Sequence, residues 1–301
     1  MSSSGAGMAH GCRLCPRACG ARRELGERGR CGAGAQIRAA RAALHFWEEP
    51  CVSTARGSGT VFFSGCPLGC CFCQNRVISR DGVGRNLTEE RLAEVFLSLQ
   101  EQGAANLNLV SATQYIPQIR RVLEQIRPQL HIPVIWNTGG YELPAALALL
   151  RGLVDVYLTD LKFFDPALSG RLADAPDYFS VACACLPEML AQTGAPRIGS
   201  DGSIQKGVII RHLVLPGHRE DSRNILEWLA RNLSPDNFLL SLMRQYTPDP
   251  QSPFRELRRP VATAEYRPLA ELAAELGFQG YTQERESARE GYTPDFDLTG
   301  L

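Results

Sequence analysis

The feature that most constrains the fold is a regular alternation of apolar runs and amphipathic stretches over residues 60–278. Six apolar runs have the length of β-strands: 60–65, 106–112, 133–140, 154–161, 207–217 and 238–246. Apolar residues recur with helical spacing in the segments that follow these runs: 88–103, 115–126, 143–152, 176–194, 220–233 and 262–278. Nearly continuous apolar strands are typical of a parallel sheet with both faces covered by helices. Six repeats in series predict an α/β fold, namely a partial (β/α)6 barrel.

A dense group of cysteines follows the first predicted strand. Residues 64–75, called the cysteine loop below, read SGCPLGCCFCQN and contain Cys66, Cys70, Cys71 and Cys73. In βα barrels, ligands bind at the carboxyl ends of the strands, so this loop lies at the expected functional rim. The spacing C-x3-C-x2-C predicts Cys66, Cys70 and Cys73 as thiolate ligands of an iron–sulfur cluster.

The fourth thiol of the loop, Cys71, is expected to face elsewhere, because neighbouring side chains in an extended loop diverge. A set with Cys71 in place of Cys70 would put two ligands two residues apart and strain the loop. Three thiolates on a 4Fe–4S cluster leave one iron with an open position, which is typical of catalysis rather than structure. The alternative is a closed structural zinc site that uses all four thiols.

The cysteine loop, with Phe72 before its last cysteine, resembles the radical S-adenosylmethionine (SAM) superfamily. It is more similar still to the subgroup called pyruvate formate-lyase-activating-enzyme-like. The phrases CRLCPRACG, ALHFWEEP, GSGTVFFSGC, FCQN, WNTGGYE, VDVYLTDLKF, RHLVLPG and LMRQYTP carry this resemblance in order, from residue 12 towards residue 297. It implies a 4Fe–4S cluster whose open iron binds SAM. One electron would then cleave SAM to a 5′-deoxyadenosyl radical, which takes a hydrogen atom from a substrate.

The resemblance also implies SAM contacts near the ends of the strands. The residues that it indicates are Phe72, Ser111, Thr113, Asn137, Thr138, Asp160, Lys162, Arg211 and His212. Asp160 and Lys162 alternate onto one face of their strand. Because the chain contains only two lysines, Lys162 suggests that a compact ammonium is needed there. Of the neighbours Arg211 and His212, one should point into the barrel and the other outward.

Several of these residues also have simpler explanations. Thr113 could cap the next helix, and residues 137–140 could form an ordinary strand-to-helix turn. Asp160 and Lys162 could form a surface salt bridge, and His212 could be a satisfied barrel histidine. Gln245 and Tyr246, at the end of the sixth predicted strand, are candidate substrate-side groups, with Tyr246 expected to be aromatic packing.

A second cysteine set precedes the predicted barrel. Cys12, Cys15, Cys19 and Cys31 follow the spacing C-x2-C-x3-C-x11-C, which provides a complete and closed set of four ligands. The set is predicted to hold either a zinc ion or an auxiliary iron–sulfur cluster. Residues 1–58 are otherwise irregular and rich in arginine. They are expected to form a small Cys-rich metal-binding segment, followed by the barrel core over residues 59–301.

Composition limits the partners and the compartment. The 301 residues carry 32 basic and 32 acidic side chains, so no overall charge favours nucleic acid or an acidic membrane. The most apolar stretch, 143–158, is interrupted by Arg151 and Asp155, and no apolar run near the N-terminus resembles a secretory signal. A cytoplasmic protein is expected. There thiols stay reduced, so eleven cysteines favour metal binding over disulfides.

The leading functional hypothesis is therefore a radical SAM enzyme, an oxidoreductase-type or activating enzyme. The resemblance implies a flavodoxin or ferredoxin as electron donor, and it makes a glycyl-radical protein a candidate substrate. The alternative is a noncatalytic protein, either an iron–sulfur electron carrier or a zinc-stabilised adaptor.

Overall fold

One sheet organises the chain in the computed structural model, which describes residues 11–283 and 293–301. Its strands are β1 (Ile37–His45), β2 (Ser58–Phe63), β3 (Arg85–Leu87), β4 (Leu107–Val110), β5 (Val134–Thr138), β6 (Val156–Asp160), β7 (Arg197–Ile198), β8 (Ile204–Leu213), β9 (Leu239–Met243) and β10 (Gly280–Thr282). The helices are α1 (Pro50–Ser53), α2 (Arg76–Ser79), α3 (Glu89–Glu101), α4 (Ile116–Ile126), α5 (Pro144–Leu147), α6 (Pro166–Ala173), α7 (Tyr178–Thr193), α8 (Arg219–Asn232) and α9 (Thr263–Glu275).

The sheet is mostly parallel, as the apolar runs predict. Its strand order is β10-β9-β8-β6-β5-β4-β2-β1-β3, with β7 paired to β8. All pairs from β2 to β10 along this order are parallel, whereas β1 runs antiparallel to both β2 and β3. The six predicted strands correspond to β2, β4, β5, β6, β8 and β9. The predicted α/β fold is therefore confirmed, and the sheet keeps two separate edges at β3 and β10.

Four strands were not predicted: β1, β3, β7 and β10. β1 lies in the segment that was expected to be irregular, and its sequence IRAARAALH is rich in alanine and arginine, which have low strand propensity. Its pairing with β2, from Ala39 opposite Phe63 to His45 opposite Ser58, supplies the order that the local sequence does not indicate. β10 spans three residues, too few for a recognisable period. At its first residue, Gly280, any side chain would collide with the main chain of Leu240.

The barrel interior is closed at its amino-terminal end by apolar packing. The short helix α1 places Cys51 and Val52 against inward-facing residues of neighbouring strands, including Ile135, Leu158 and Ile209. A larger core fills the space between the sheet and the outer helices. The remaining interior, towards the carboxyl ends of the strands, is lined by charged and polar side chains together with apolar ones. In the described residues, no helix has both the length and the apolar character needed to cross a bilayer.

Candidate functional site

The cysteine loop is fixed by hydrogen bonds from its own main chain. The amides of Gly69 and Cys71 donate to Ala173 O (2.9 Å) and Leu172 O (2.8 Å), at the end of α6. This helix was not predicted; it begins after Asp165, whose side chain accepts a bond from the main chain of its first turn. Because the bonds fix the chain on both sides of residue 70, the fold sets the direction of each thiol.

Three of the four thiols in the loop face the same space. Cys66, Cys70 and Cys73 line one cavity of about 250 Å³ at the carboxyl ends of the strands. Cys71 is not among the residues that line this cavity. The charges that act on its thiol are those of Arg171, Asp249 and Glu256, none of which lines the cavity. The structure thus separates Cys71 from the three thiols that the spacing selects.

Burial controls the ionisation of these thiols. It raises the pKa of Cys66, and it raises the pKa of Cys70 to about 12 although the Lys162 ammonium acts in the opposite direction. Thiols with such pKa values are protonated at neutral pH and become ligands only when a metal displaces the proton.

The donor set suits an iron–sulfur cluster, because such clusters take thiolate ligands and each thiolate binds a different iron. Cys66, Cys70 and Cys73 share one cavity, and, besides burial, electrostatic interaction with Cys70 and Cys73 raises the pKa of Cys66. In residues 11–283 and 293–301, no three His, Cys, Asp or Glu side chains are gathered around one point as ligands of a single ion. The fit therefore depends on three thiols that share a cavity and can each reach a separate iron.

A chain of buried charges runs through the barrel interior from the cysteine loop. Lys162 Nζ donates to Asp160 Oδ2, and Arg211 Nε donates to Asp160 Oδ1 at 2.8 Å. Arg211 Nη1 lies 3.2 Å from Glu48 Oε2, and its Nη2 donates to Asn137 Oδ1 at 2.7 Å. Asn137 Nδ2 in turn donates to Glu48 Oε1 at 3.1 Å. The five side chains form one connected network, and all of them line the cavity.

Opposite charges decide the ionisation of this network. Burial alone would raise the pKa of Asp160, but Arg211 and Lys162 outweigh it and hold that pKa below its usual value. Burial alone would likewise lower the pKa of Lys162, but the Asp160 carboxylate outweighs it and raises that pKa. Asp160 and Lys162 therefore remain charged at neutral pH, although both are largely buried.

Three further predicted contacts line the same cavity: Phe72, Ser111 and Thr138. The Phe72 ring meets the ring of Phe163 edge-on at 6.1 Å between centroids, which fixes the loop residue before Cys73. Together with the charged network, these residues surround the space next to the three thiols. The structure thus brings together seven of the nine side chains that the sequence indicated as SAM contacts.

Thr113 lies outside this cavity. Its hydroxyl donates to Glu142 Oε1 at 2.7 Å, and the Thr138 hydroxyl and the Trp136 indole donate to the same oxygen. Glu142 is fully buried, and burial raises its pKa. Thr113 therefore connects the ends of β4 and β5 through a buried carboxyl group, and it does not face the cavity.

His212 also lies outside the cavity, so Arg211 is the inward member of the pair. The His212 Nδ1 atom lies 2.7 Å from Leu161 O, and the His212 Nε2 atom lies 2.8 Å from Ser222 Oγ on α8. The register of the sheet explains this, because Arg211 stands opposite the inward-facing Asp160. His212 is the satisfied histidine of the simpler explanation, and burial lowers its pKa to about 4.

Acidification is expected to destabilise the protein through His212. In the unfolded chain, histidine binds a proton below its ordinary pKa of about 6.5, whereas the folded state resists protonation down to about pH 4. The contribution of His212 to the free energy of unfolding is therefore complete above pH 6.5. It is lost as the pH falls from 6.5 to 4, and the loss amounts to at most about 3 kcal/mol. Chemical denaturation across this range measures the slope. His212→Gln should flatten it, and equal slopes in both proteins would contradict the assignment.

Both candidate substrate-side residues line the cavity, but they differ in their partners. The Tyr246 hydroxyl donates to Leu257 O at 2.7 Å and its side chain is buried, so it serves as packing. The Gln245 side chain accepts a bond from Gln283 Nε2 at 3.0 Å.

The upstream cysteines form a separate group. Cys12, Cys15, Cys19 and Cys31 line a second, smaller cavity between the N-terminal segment and the barrel. The four thiols therefore line one cavity, which differs from that of the cysteine loop, but in the described part of the chain they are not gathered around a single point.

Sequence reasoning missed two carboxyl groups: Glu48, which lines the cavity, and Glu142, which accepts hydrogen bonds from Thr113 and Thr138. Glu48 belongs to the phrase ALHFWEEP but precedes every predicted strand, so no periodicity placed it inside the barrel. Glu142 belongs to WNTGGYE and follows a glycine turn. The signal that could have found both was an acidic residue inside an otherwise apolar or aromatic phrase.

Comparisons with known proteins agree with this architecture. The family model of the radical SAM superfamily matches residues 60–190. An uncharacterized protein of Methanocaldococcus jannaschii is 29% identical over 273 residues, which are 87% of this chain and 74% of that protein.

One solved structure shows the same fold at low sequence identity, and a second one has a lower similarity. A radical SAM methyltransferase from Sphaerobacter thermophilus is similar with a TM-score of 0.51 and 17% identity, over 75% of this chain and 66% of that one. Methylornithine synthase is similar with a TM-score of 0.49 and 15% identity, over 69% of this chain and 59% of that one. The chain thus spans less than two thirds of the length of either structure. Residues 60–190 of the chain are thus similar in sequence to the radical SAM superfamily.

Proposed function

We propose that this protein is a radical SAM enzyme. The observation that carries the proposal is the sharing of one cavity by Cys66, Cys70 and Cys73 and the charged pair Asp160 and Lys162. A site for three thiolates beside a fixed carboxylate and ammonium provides what a cluster and a zwitterionic ligand need. Cys71, next in the chain to Cys70, does not line this cavity.

The side chains of the cavity match the groups of SAM by charge. Asp160 can accept hydrogen bonds from an amino or ribose hydroxyl group, and Lys162 and Arg211 can donate to a carboxylate. Phe72 and Ser111 add an apolar and a polar contact beside the thiols. When bound, a 4Fe–4S cluster supplies the single electron that cleaves the sulfonium C–S bond of SAM and yields a 5′-deoxyadenosyl radical.

The apolar groups around the cavity support this chemistry. A primary carbon radical attacks the nearest available group, so the protein must exclude water and competing side chains. Apolar residues of α1 close the amino-terminal end of the barrel, and Phe62, Leu68 and Phe72 line the cavity itself. The charged side chains are held by one another, which keeps them from moving towards a reactive centre.

We extend the proposal to the pyruvate formate-lyase-activating-enzyme-like subgroup. The support is the ordered set of phrases across the chain, in particular RHLVLPG and VDVYLTDLKF, which contain Arg211, Asp160 and Lys162. This assignment would make the substrate a glycyl-radical protein and the electron donor a flavodoxin or ferredoxin. It would also make the protein an activating enzyme of the oxidoreductase type, without a nucleic-acid or membrane partner.

Anaerobic reconstitution tests the proposed function. We expect the protein to take up iron and sulfide, to show the EPR signal of a reduced 4Fe–4S cluster, and to convert SAM to 5′-deoxyadenosine and methionine when a reductant is added. A variant with alanine at Cys66, Cys70 and Cys73 is the control and should lack both properties. If the wild-type protein binds only zinc at these residues, or leaves SAM intact with a reduced cluster, the enzyme assignment fails and a noncatalytic metalloprotein remains.

A further inference from the structure

We propose that Cys12, Cys15, Cys19 and Cys31 hold a thiolate-bound metal centre, that Arg23 is its buried counter-cation, and that the centre supports the cysteine loop through Gln114. The inference does not depend on SAM chemistry.

The N-terminal segment is shaped by main-chain turns rather than by a core of its own. The amide of Cys12 donates to Ala21 O at 3.1 Å, and the amide of Gly20 donates back to Cys12 O at 3.1 Å. Gly29 passes so close to Cys19 that an added Cβ would lie 2.6 Å from its Sγ. These turns direct all four thiols to one cavity, although Cys19 is itself exposed. A short segment with little core commonly depends on a metal for its order.

Arg23 provides the second observation, because its charge is buried without a carboxylate. The residue is 7% exposed, and no Asp or Glu of the described residues forms an ion pair with it. Its Nη2 instead lies 3.2 Å from Cys12 Sγ and 3.5 Å from Cys31 Sγ. A buried guanidinium needs a counter-charge. Thiolates bound to a metal centre retain negative charge, and two of the four cysteines already face Arg23.

Gln114 connects this group to the barrel. The second terminal nitrogen of Arg23, Nη1, donates to Gln114 O. The side-chain amide of the same glutamine donates to Ser64 O at 3.1 Å and to Gly65 O at 3.0 Å, directly before Cys66. A single residue therefore lies between Arg23 and the start of the cysteine loop.

A parallel contact joins the same two regions. Arg17, between Cys15 and Cys19, donates from Nε to Pro67 O at 3.1 Å, directly after Cys66. The N-terminal segment thus binds the main chain after Cys66 directly, and it is connected to the main chain before Cys66 through Gln114. Loss of the metal centre should release both contacts and loosen the cysteine loop.

The test separates this centre from the cluster of the proposed function. In a full-length variant with alanine at Cys66, Cys70 and Cys73, the ligands of the proposed cluster are removed. Any metal that this variant binds tightly is therefore assigned to the upstream cysteines. We expect one centre per chain, measured as zinc or as iron with sulfide, and its loss when Cys12 and Cys31 are also replaced. Zinc and an iron–sulfur cluster both support the proposal, whereas a variant without bound metal overturns it.

Arg23 is tested in the same background by release of metal to a chromophoric chelator. Partners that hydrogen-bond to metal ligands contribute about 10–100-fold to metal affinity, so Arg23→Met should weaken binding by that factor. Arg22→Met is the matched control, because Arg22 is an exposed neighbour that pairs with Glu27. Arg23→Lys keeps the charge and should fold if Arg23→Met does not. Equal metal release from the Arg22 and Arg23 variants would overturn the assigned role of Arg23.

Hydrogen exchange tests the connection to the cysteine loop. Amides of residues 64–75 should exchange faster when the upstream metal is removed by a chelator, and amides of the distant helix α9 should not. Unchanged exchange in the loop would show that the centre does not support it.

Discussion

Replacing Cys70 by alanine is expected to abolish the iron–sulfur centre and SAM cleavage, whereas replacing its neighbour Cys71 leaves both near the wild-type level. The Cys70 thiol lines the cavity with Cys66 and Cys73, and the Lys162 ammonium acts on it. Even indirect partners of a metal ligand contribute about 10–100-fold to affinity or activity, so loss of a direct ligand should reduce 5′-deoxyadenosine formation by more than about 100-fold. Iron and sulfide content per chain and product formation under anaerobic conditions measure both effects.

The comparison is informative because the two cysteines are adjacent and differ mainly in direction. Both variants remove a partly buried sulfur from the same loop, so a general loss of folding would affect both. Cys70→Ser keeps the shape of the side chain and should still be inactive. If Cys71→Ala also lost the cluster, Cys71 would be a ligand, and the site would be a closed one with four thiols. If Cys70→Ala retained the cluster, the ligand assignment would be wrong.

The parallel part of the fold could be predicted from the sequence because burial on both faces leaves long apolar runs. This signal is strong for strands such as β5 and β8, and every predicted strand is present. It is weak where order comes from pairing rather than from local sequence. β1 becomes a strand because β2 and β3 lie on its two sides, and β10 because Gly280 allows close contact with β9.

The candidate site was predictable to the extent that strand alternation determines it. Alternation places Asp160 and Lys162 together, and the structure joins them by an ion pair. Alternation could not decide which of Arg211 and His212 points into the barrel, since that choice depends on the register between β6 and β8. It also could not place Glu48, which reaches the interior from the connection between β1 and α1.

Glu48 changes the electrostatics of the barrel. Without it, the two cations Lys162 and Arg211 would face the single carboxylate of Asp160 in the network. With it, Arg211 is shared between two carboxylates, at 2.8 Å from Asp160 and 3.2 Å from Glu48. The guanidinium is therefore held at a defined position before any ligand arrives. This arrangement agrees with the need to keep charged groups in place beside a reactive centre.

Replacing Arg211 by methionine is expected to destabilise the fold by about 3–5 kcal/mol at neutral pH, because removal of one partner leaves buried carboxylates without their cation. Asp160 loses the stronger of the two cations that lower its pKa, so that pKa rises in the variant. The deficit should then be smaller at pH 5 than at pH 8, since protonation of Asp160 removes the unpaired charge. Denaturation midpoints of the metal-free protein at both pH values measure this.

A matched arginine on the surface separates a buried network from a general effect of losing a charge. Arg267 on α9 pairs with Glu271 one helical turn away, and both side chains are exposed. Arg267→Met should cost no more than about 0.5 kcal/mol, with little dependence on pH. Adding Glu48→Gln to Arg211→Met should recover part of the loss, because the second carboxylate is then neutral. If Arg211→Met costs no more than Arg267→Met, the interior charges are solvated and do not form the rigid network described above.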